Sequence, residues 1–172
     1  DLDAKKKYSV DSPMLKPAAA YIVPELTLTL SAPVTLSTGV DALSHAVEAY
    51  WSKRTSPLVR ALASQSIGMI LGSLKPLLAQ PQNVKLREKL CCASVLAGMA
   101  FSQTRTTACH SLSYPLTMFF GVPHGLAAAM TLSAVARRNA GHFPGDAELF
   151  GLFAPHGGVR AWLDEVCAPF HP

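Results

Sequence analysis

Apolar residues recur at helical spacing through most of this chain. Between residues 57 and 79 the apolar positions are Leu58, Leu62, Ile67, Ile70, Leu71, Leu74 and Leu78, the rhythm of one buried helix face. Pro57 suits the first helical position, and the polar stretch 53–56 before it separates this helix from an earlier one. That earlier helix is predicted to start at a cap on Thr38 or Gly39 and to run to about Ser52. Residues 83–102 predict a further helix around Leu86, Leu90, Val95 and Met99, with Gly98 inviting close packing. Residues 106–119 predict a short helix interrupted or kinked at Pro115. Residues 121–123 make a turn, and Pro123 opens a helix from His124 to about Asn139. Beyond Gly141, the residues Pro144, Gly145, Pro155, Gly157 and Gly158 leave room for two short helical pieces. At the front, residues 18–22 (AAAYI) read as a short strand. The VPELTLTLSAP that follows reads as a loop with one helical turn.

The expected fold is therefore mainly α with one strand at the front. A lone strand cannot satisfy its own edges, so this one predicts a sheet outside the chain and makes the sequence read as part of a larger protein. With 172 residues, 49% of them hydrophobic and 15% charged, the chain is long and apolar enough for one domain with a core. No apolar run reaches the roughly 18 residues of a membrane span. The opening DLDAKKKY lacks the apolar stretch of a signal peptide, so a cytoplasmic protein with no membrane partner is expected. The net charge of +4 is mild, and its only compact basic run, Lys5 to Lys7, reads as solvated surface. No nucleic-acid motif is present, and no nucleic-acid partner is expected. Cys91, Cys92, Cys109 and Cys167 form no CxxC pair. The vicinal Cys91 and Cys92 lie in an apolar helical pattern and read as buried thiols rather than a disulfide.

The candidate chemistry lies in four residues. Asp41 and His45 in DALSHAVEAY stand one helical turn apart, so a carboxylate oxygen and an imidazole nitrogen share a face and can converge on one ion. His110 sits among apolar and small residues, and His124 follows Pro123 at a helix start. Buried imidazoles need partners. One carboxylate and three imidazoles on three helices make a four-coordinate nitrogen and oxygen set that suits Fe(II) or Zn(II) and poorly suits Mg or Ca. Taken singly, the same residues also read as an aspartate favoured by a helix dipole and as packed or capping histidines. Glu48, three residues beyond His45, reads either as an acceptor that orients His45 or as a solvated carboxylate on the helix face. Tyr50 and Trp51 read as packing residues, and His142, His156 and His171 as surface.

The segments TGVDALSHAVEAY, LAGMAFSQT, HSLSYPL and GVPHGLAAAMTL occur in this order and resemble consecutive blocks of the iron-containing (group III) alcohol dehydrogenases. The resemblance spans about Tyr8 to Asn139. It implies metal ligands at Asp41, His45, His110 and His124, with no ligand lost, and a nicotinamide-side contact at Leu26. It also implies the fold: a helical metal-binding C-terminal domain of the dehydroquinate synthase-like type, preceded in the family by an α/β domain that binds NAD(P) through a Gly-rich loop. No such loop is present here; Gly39 stands alone, and Gly157–Gly158 follows no strand. Residues 1–30 then correspond to the last strand and linker of the missing nucleotide domain. Residues 31–172 correspond to the helical domain, truncated at its C-terminal end. A homodimer of the full-length parent is the implied assembly.

Three departures from the family pattern matter. Val23-Pro24 stands where Asp-Pro is frequent, and Ser31 where Pro is frequent. Tyr114 replaces a histidine that many members carry one turn after the third ligand, which unsettles the generic alcohol as substrate. Thr104-Arg105-Thr106 precedes the His110 segment. Together with KYSV and HSLSYPLT it is most similar to the phosphonoacetaldehyde reductase branch. The resemblance implies metal-assisted hydride transfer between NAD(H) or NADP(H) and a small aldehyde or alcohol, with Arg105 and Tyr114 as substrate-binding candidates for an anionic tail. It assigns no catalytic side chain beyond the metal. The competing readings are a helical domain that binds metal only structurally, and an inactive fragment of such an enzyme. Structural zinc sites are usually rich in cysteine, and this set contains none.

Overall fold

In the computed structural model, residues 12–15 and 17–170 are described, and all regular structure among them is helical. Seven α-helices follow in order: α1 Ala32–Trp51, α2 Pro57–Ala79, α3 Val84–Thr104, α4 Ala108–Phe120, α5 His124–Asn139, α6 Asp146–Phe153 and α7 Val159–Cys167. The predicted helices at 57–79, 83–102 and 124–139, and the two short pieces after Gly141, are all present. Pro24–Thr27 supplies the single helical turn expected in the front loop.

The predicted strand at 18–22 does not form; these residues are irregular, and Tyr21 is 91% exposed. A strand needs an edge to pair with, and none exists among the described residues. The Lys5–Lys7 run, the front of the family resemblance from Tyr8, and His171 lie outside the described residues.

Helix α1 begins earlier than its pattern suggests, at Ala32 rather than after Thr38. Pro33 falls in the first turn, where no intrahelical N–H is needed, so it does not end the loop but helps open the helix. Helix α4 runs through Pro115 without a break in its assignment. Conventional caps hold two other starts: Ser56 Oγ accepts from Val59 N in α2, and Asn83 Oδ1 accepts from Leu86 N in α3.

The core gathers around α1. From Gly39 to Trp51 every residue is buried except Asp41 and His45. Helices α2, α3 and α5 pack against α1. The face that α3 buries carries Ala93, Ala97, Ala100 and Thr104 rather than the expected Leu86, Leu90, Val95 and Met99, and Met99 is 51% exposed. Small side chains let the α3 backbone approach its neighbours closely, which a leucine stripe would prevent. Gly98 does not serve that purpose, for a Cβ there would meet nothing within 4 Å. Tyr50 and Trp51 are core, as expected. The Tyr50 hydroxyl lies 3.0 Å from the carbonyl of Gly145 and 3.1 Å from Glu148 Oε2, tying α1 to the start of α6. Cys91 is half-buried and Cys92 exposed, so the vicinal pair is less buried than its setting suggested; all four thiols are free.

Candidate metal centre

The site is built on one stripe of α1. Asp41, His45 and Glu48 stand four and then three residues apart, so they share a face and rise along it turn by turn. Helix α4 brings His110 in its first turn and Ser113 one turn later, and α5 brings His124 as its first residue.

Asp41 Oδ1 is the meeting point. It lies 3.4 Å from His110 Nε2 and 3.9 Å from His124 Nε2. The candidate ligand atoms of Asp41, His110 and His124 all lie within 4.8 Å of one another. His45 stands beside this set with Nδ1 3.8 Å from Asp41 Oδ2, its ring stacked between Phe101 and His110 at centroid distances of 4.3 Å each. Three of the four expected ligands thus converge directly, and the fourth adjoins them.

Hydrogen bonding orients two of the rings. Glu48 is fully buried, at 0% exposure. Its Oε2 pairs with His110 Nδ1, and its Oε1 accepts from Thr107 N at 3.0 Å, Cys109 N at 2.8 Å and the Thr107 hydroxyl. A carboxylate only accepts, so His110 carries a proton on Nδ1, and its Nε2 faces Asp41, able to offer a lone pair to an ion that displaces any second proton. The Ser113 hydroxyl donates its one proton to the His110 carbonyl at 2.7 Å, so towards His124 Nδ1, 3.3 Å away, it accepts. His124 therefore also carries its proton on Nδ1 and an unprotonated Nε2 on the Asp41 side.

This geometry fits a divalent ion. Asp41 Oδ1 and His110 Nε2 are buried and face each other without hydrogen-bond partners. A carboxylate oxygen and a ring nitrogen in that posture call for a cation between them, either the second proton of a charged imidazole or a metal ion that displaces it. Ligands around a tetrahedral ion with bonds of about 2.1 Å sit about 3.4 Å apart; the Asp41–His110 separation of 3.4 Å matches this, and the Asp41–His124 separation of 3.9 Å is somewhat longer. One carboxylate oxygen with imidazole nitrogens is a donor set for Fe(II) or Zn(II).

The electrostatics point the same way. Burial works to raise the Asp41 pKa, but His110 and the charges of the surrounding imidazoles hold it below the usual carboxylate value. Glu48 is likewise lowered despite burial, by the hydrogen bonds it receives from His110 and Thr107. Burial depresses His45 to about 4, more than Asp41 can offset. Burial also opposes charge on His110, yet Asp41 and Glu48 together lift it to about 9. The pocket between the two carboxylates thus favours positive charge, which is what a bound cation would supply.

Glu48 is neither of the things its sequence position suggested. It does not orient His45, and it is not solvated; its partner is His110, 62 residues away. The heptad-like step from Asp41 to Glu48 marks the shared face, but nothing local marks the partner. Phe101 and Ser113, which pack on and bond to the histidines, carry no distinguishing signal in the sequence. Arg105 is the C-cap of α3 at φ 66° and lines a surface depression with Trp51, Lys53 and His142. That depression contains none of Asp41, His45, His110 or His124. Tyr114 does stand at the site, stacked on His124 at 6.2 Å. Leu26 lies in the front helical turn and is 77% exposed. His142 is exposed and His156 half-buried.

Comparison with known proteins identifies the family. The profile described as "Fe-containing alcohol dehydrogenase family, C-terminal" matches residues 35–149. A 1,3-propanediol dehydrogenase of Citrobacter freundii is 41% identical over 135 residues, covering 78% of this chain and 35% of that protein. A phosphonoacetaldehyde reductase of Streptomyces viridochromogenes is 33% identical over 171 residues, covering 98% of this chain and 42% of that one. The crystal structure of sulfoacetaldehyde reductase from Bifidobacterium kashiwanohense in complex with NAD+ superposes with a TM-score of 0.74 at 39% identity, covering 83% of this chain and 38% of that chain. The chain thus spans well under half the length of these relatives. With its profile match extending over most of the helical region, the chain belongs to the Fe-containing alcohol dehydrogenase family.

Proposed function

We propose that this chain is the metal-binding part of an NAD(P)-dependent alcohol dehydrogenase or aldehyde reductase. The observation that carries the reading is the convergence of Asp41, His110 and His124 around two buried, unpartnered ligand atoms. Asp41, His110 and His124 would hold Fe(II) or Zn(II), and a small turn of the His45 side chain would complete a four-ligand set. A divalent ion at this place supplies Lewis acidity to a substrate oxygen, stabilising the alkoxide that develops as hydride is transferred.

The protein's own residues prepare that step. Glu48 and Ser113 hold His110 and His124 with protons on Nδ1, so each ring would turn its Nε2 lone pair to the ion. Phe101 stacks on His45 and would steady that ring. Tyr114, stacked on His124, would donate a hydrogen bond to a bound substrate. NAD(H) or NADP(H) would supply the hydride, with Leu26 as the contact on this chain for the nicotinamide. The substrate class is a small aldehyde or alcohol. The finer reading is an aldehyde with an anionic tail, phosphonoacetaldehyde first, supported by the relative that reduces it. Tyr114 and Arg105 would be the contacts for such a tail.

The test joins metal analysis to reductase kinetics on the gene product that contains this chain. The expected result is one tightly held ion per chain, absent in His124→Ala, with NADH or NADPH oxidation that disappears with the ion. Undiminished aldehyde reduction after complete metal removal would overturn the reading.

A further inference from the structure

The metal-ligand residues account for only part of the charge buried here. Glu48 is a fully buried carboxylate that touches no candidate ligand atom, yet four donors from α4 and its lead-in residue converge on it. Helix α4 has no cap of its own, for its N-cap residue Thr107 makes no capping bond through its side chain. The backbone N–H groups of Thr107 and Cys109 are bonded instead by a side chain from another helix, at the end of α4 where a negative charge is favoured. The other oxygen of the same carboxylate takes the Nδ1 proton of His110. Trp51 adds a donor from behind, its Nε1 bonding the Thr107 hydroxyl at 3.1 Å.

We infer that Glu48 is a positioning residue for the metal, one that fixes both the placement of the α4 N-terminus and the tautomer of His110. The inference rests on the metal reading above. Its chemical content is the division of labour between the two oxygens. Oε1 locates the helix, and Oε2 decides which nitrogen of His110 carries the proton. With Nδ1 protonated, Nε2 offers a lone pair to an ion; with the proton on Nε2, the ring points an N–H at that ion and cannot bind it.

Glutamine separates the two functions. In Glu48→Gln the amide oxygen can occupy the Oε1 place and still accept from Thr107 and Cys109, which leaves the NH2 facing His110. An NH2 only donates, so His110 Nδ1 must become the acceptor and the proton must move to Nε2. The helix stays anchored while the ligand is turned off. Thr107→Val is the converse control, since it removes the hydroxyl that Glu48 accepts from and leaves the contact to His110 in place.

The experiment uses the 172-residue chain. Zn(II) affinity is measured by competition with a chromophoric chelator, alongside thermal unfolding. The His110 tautomer is read from 15N ring shifts followed upward in pH until the ring is neutral. Glu48→Gln is expected to weaken Zn(II) binding by about 10- to 100-fold and to move the His110 proton to Nε2. Thr107→Val is expected to lower the unfolding temperature while leaving affinity within a few-fold of the parent. Wild-type affinity in Glu48→Gln, or a loss no larger than that of Thr107→Val at equal loss of stability, would overturn the inference. If the unmodified chain takes up no metal, the metal reading fails. The ring shifts then still decide whether Glu48 governs the tautomer: an unchanged tautomer in Glu48→Gln refutes it.

Discussion

Gly125 lies against Ser37 so closely that a Cβ on the glycine would stand 1.9 Å from the Ser37 carbonyl oxygen. The same Cβ would stand 2.8 Å from the Cβ of Asp41. This contact lets the first turn of α5 reach α1 and carries His124 to Asp41. In an open helix, Gly→Ala would stabilise by roughly 1 kcal/mol. Here it must move one helix or the other, since a backbone carbonyl cannot rotate aside. Gly125→Ala is expected to destabilise by about 1–3 kcal/mol in denaturant unfolding and to weaken Zn(II) binding. A variant that is more stable than the parent and binds metal equally well would show that the close approach does not matter.

Asp41 holds the only carboxylate oxygen towards which His110 Nε2 and His124 Nε2 both face. Asp41→Asn keeps the shape and removes the charge, so it should lower metal affinity more than any single histidine change. His45→Ala should also weaken binding, by at least about tenfold, if His45 turns in to complete the set. Isothermal titration of the three variants His45→Ala, His110→Ala and His124→Ala ranks them; parental affinity in His45→Ala would remove it from the set.

Ser113 does for His124 what Glu48 does for His110, but with one weaker bond of 3.3 Å. Ser113→Ala leaves His124 Nδ1 without that acceptor. The expected cost is about tenfold in metal affinity, smaller than for Glu48→Gln, with a small change in unfolding temperature. A larger loss than in Glu48→Gln would invert the order of importance argued from the two bonds.

Burial, helped by Glu148, pushes the Tyr50 hydroxyl up to about 12. Because the folded value lies above the unfolded value near 10, the unfolded chain loses this proton first as pH rises. The associated stability is fully present below pH 10 and is lost as pH climbs through 12. Stability measured from pH 9 to 12 should fall less steeply in Tyr50→Phe than in the parent, and identical slopes would contradict the assignment.

Substrate choice has a kinetic test of its own. In the gene product containing this chain, Tyr114→Phe is expected to raise KM for phosphonoacetaldehyde several-fold while sparing propanal. Arg105→Lys should raise the same KM, since Lys offers a point charge in place of a bidentate guanidinium. Equal efficiency on both aldehydes in the parent, with no selective loss in either variant, would discard the anionic-tail reading.

Much of this was legible in the sequence. Periodicity placed α2, α3 and α5 because each carries a long run of apolar residues between clear breakers, Pro57, Asn83 and Pro123 among them. The Asp41–His45 step was legible because a helix turns a four-residue spacing into a shared face. What escaped was set by contacts between distant residues. Glu48 reads as an ordinary helix-face carboxylate until α4 packs against it. The AAAYI strand failed for a related reason, since a strand is a property of two segments and the described residues hold only one.

Helix α1 gives the metal centre its mechanical character. Asp41 and His45 are the only positions from Gly39 to Trp51 that reach solvent; their neighbours Val40, Leu43, Ala46 and Val47 are wholly enclosed. Two of the four candidate ligands are thus mounted on an enclosed helix, while His110 and His124 stand at the starts of α4 and α5. Amide protons of Asp41 and His45 should exchange only when the whole domain opens. An ion held there would leave on the timescale of global unfolding or by an outward path past His124, and in either case the site would resist adapting its size to a different metal.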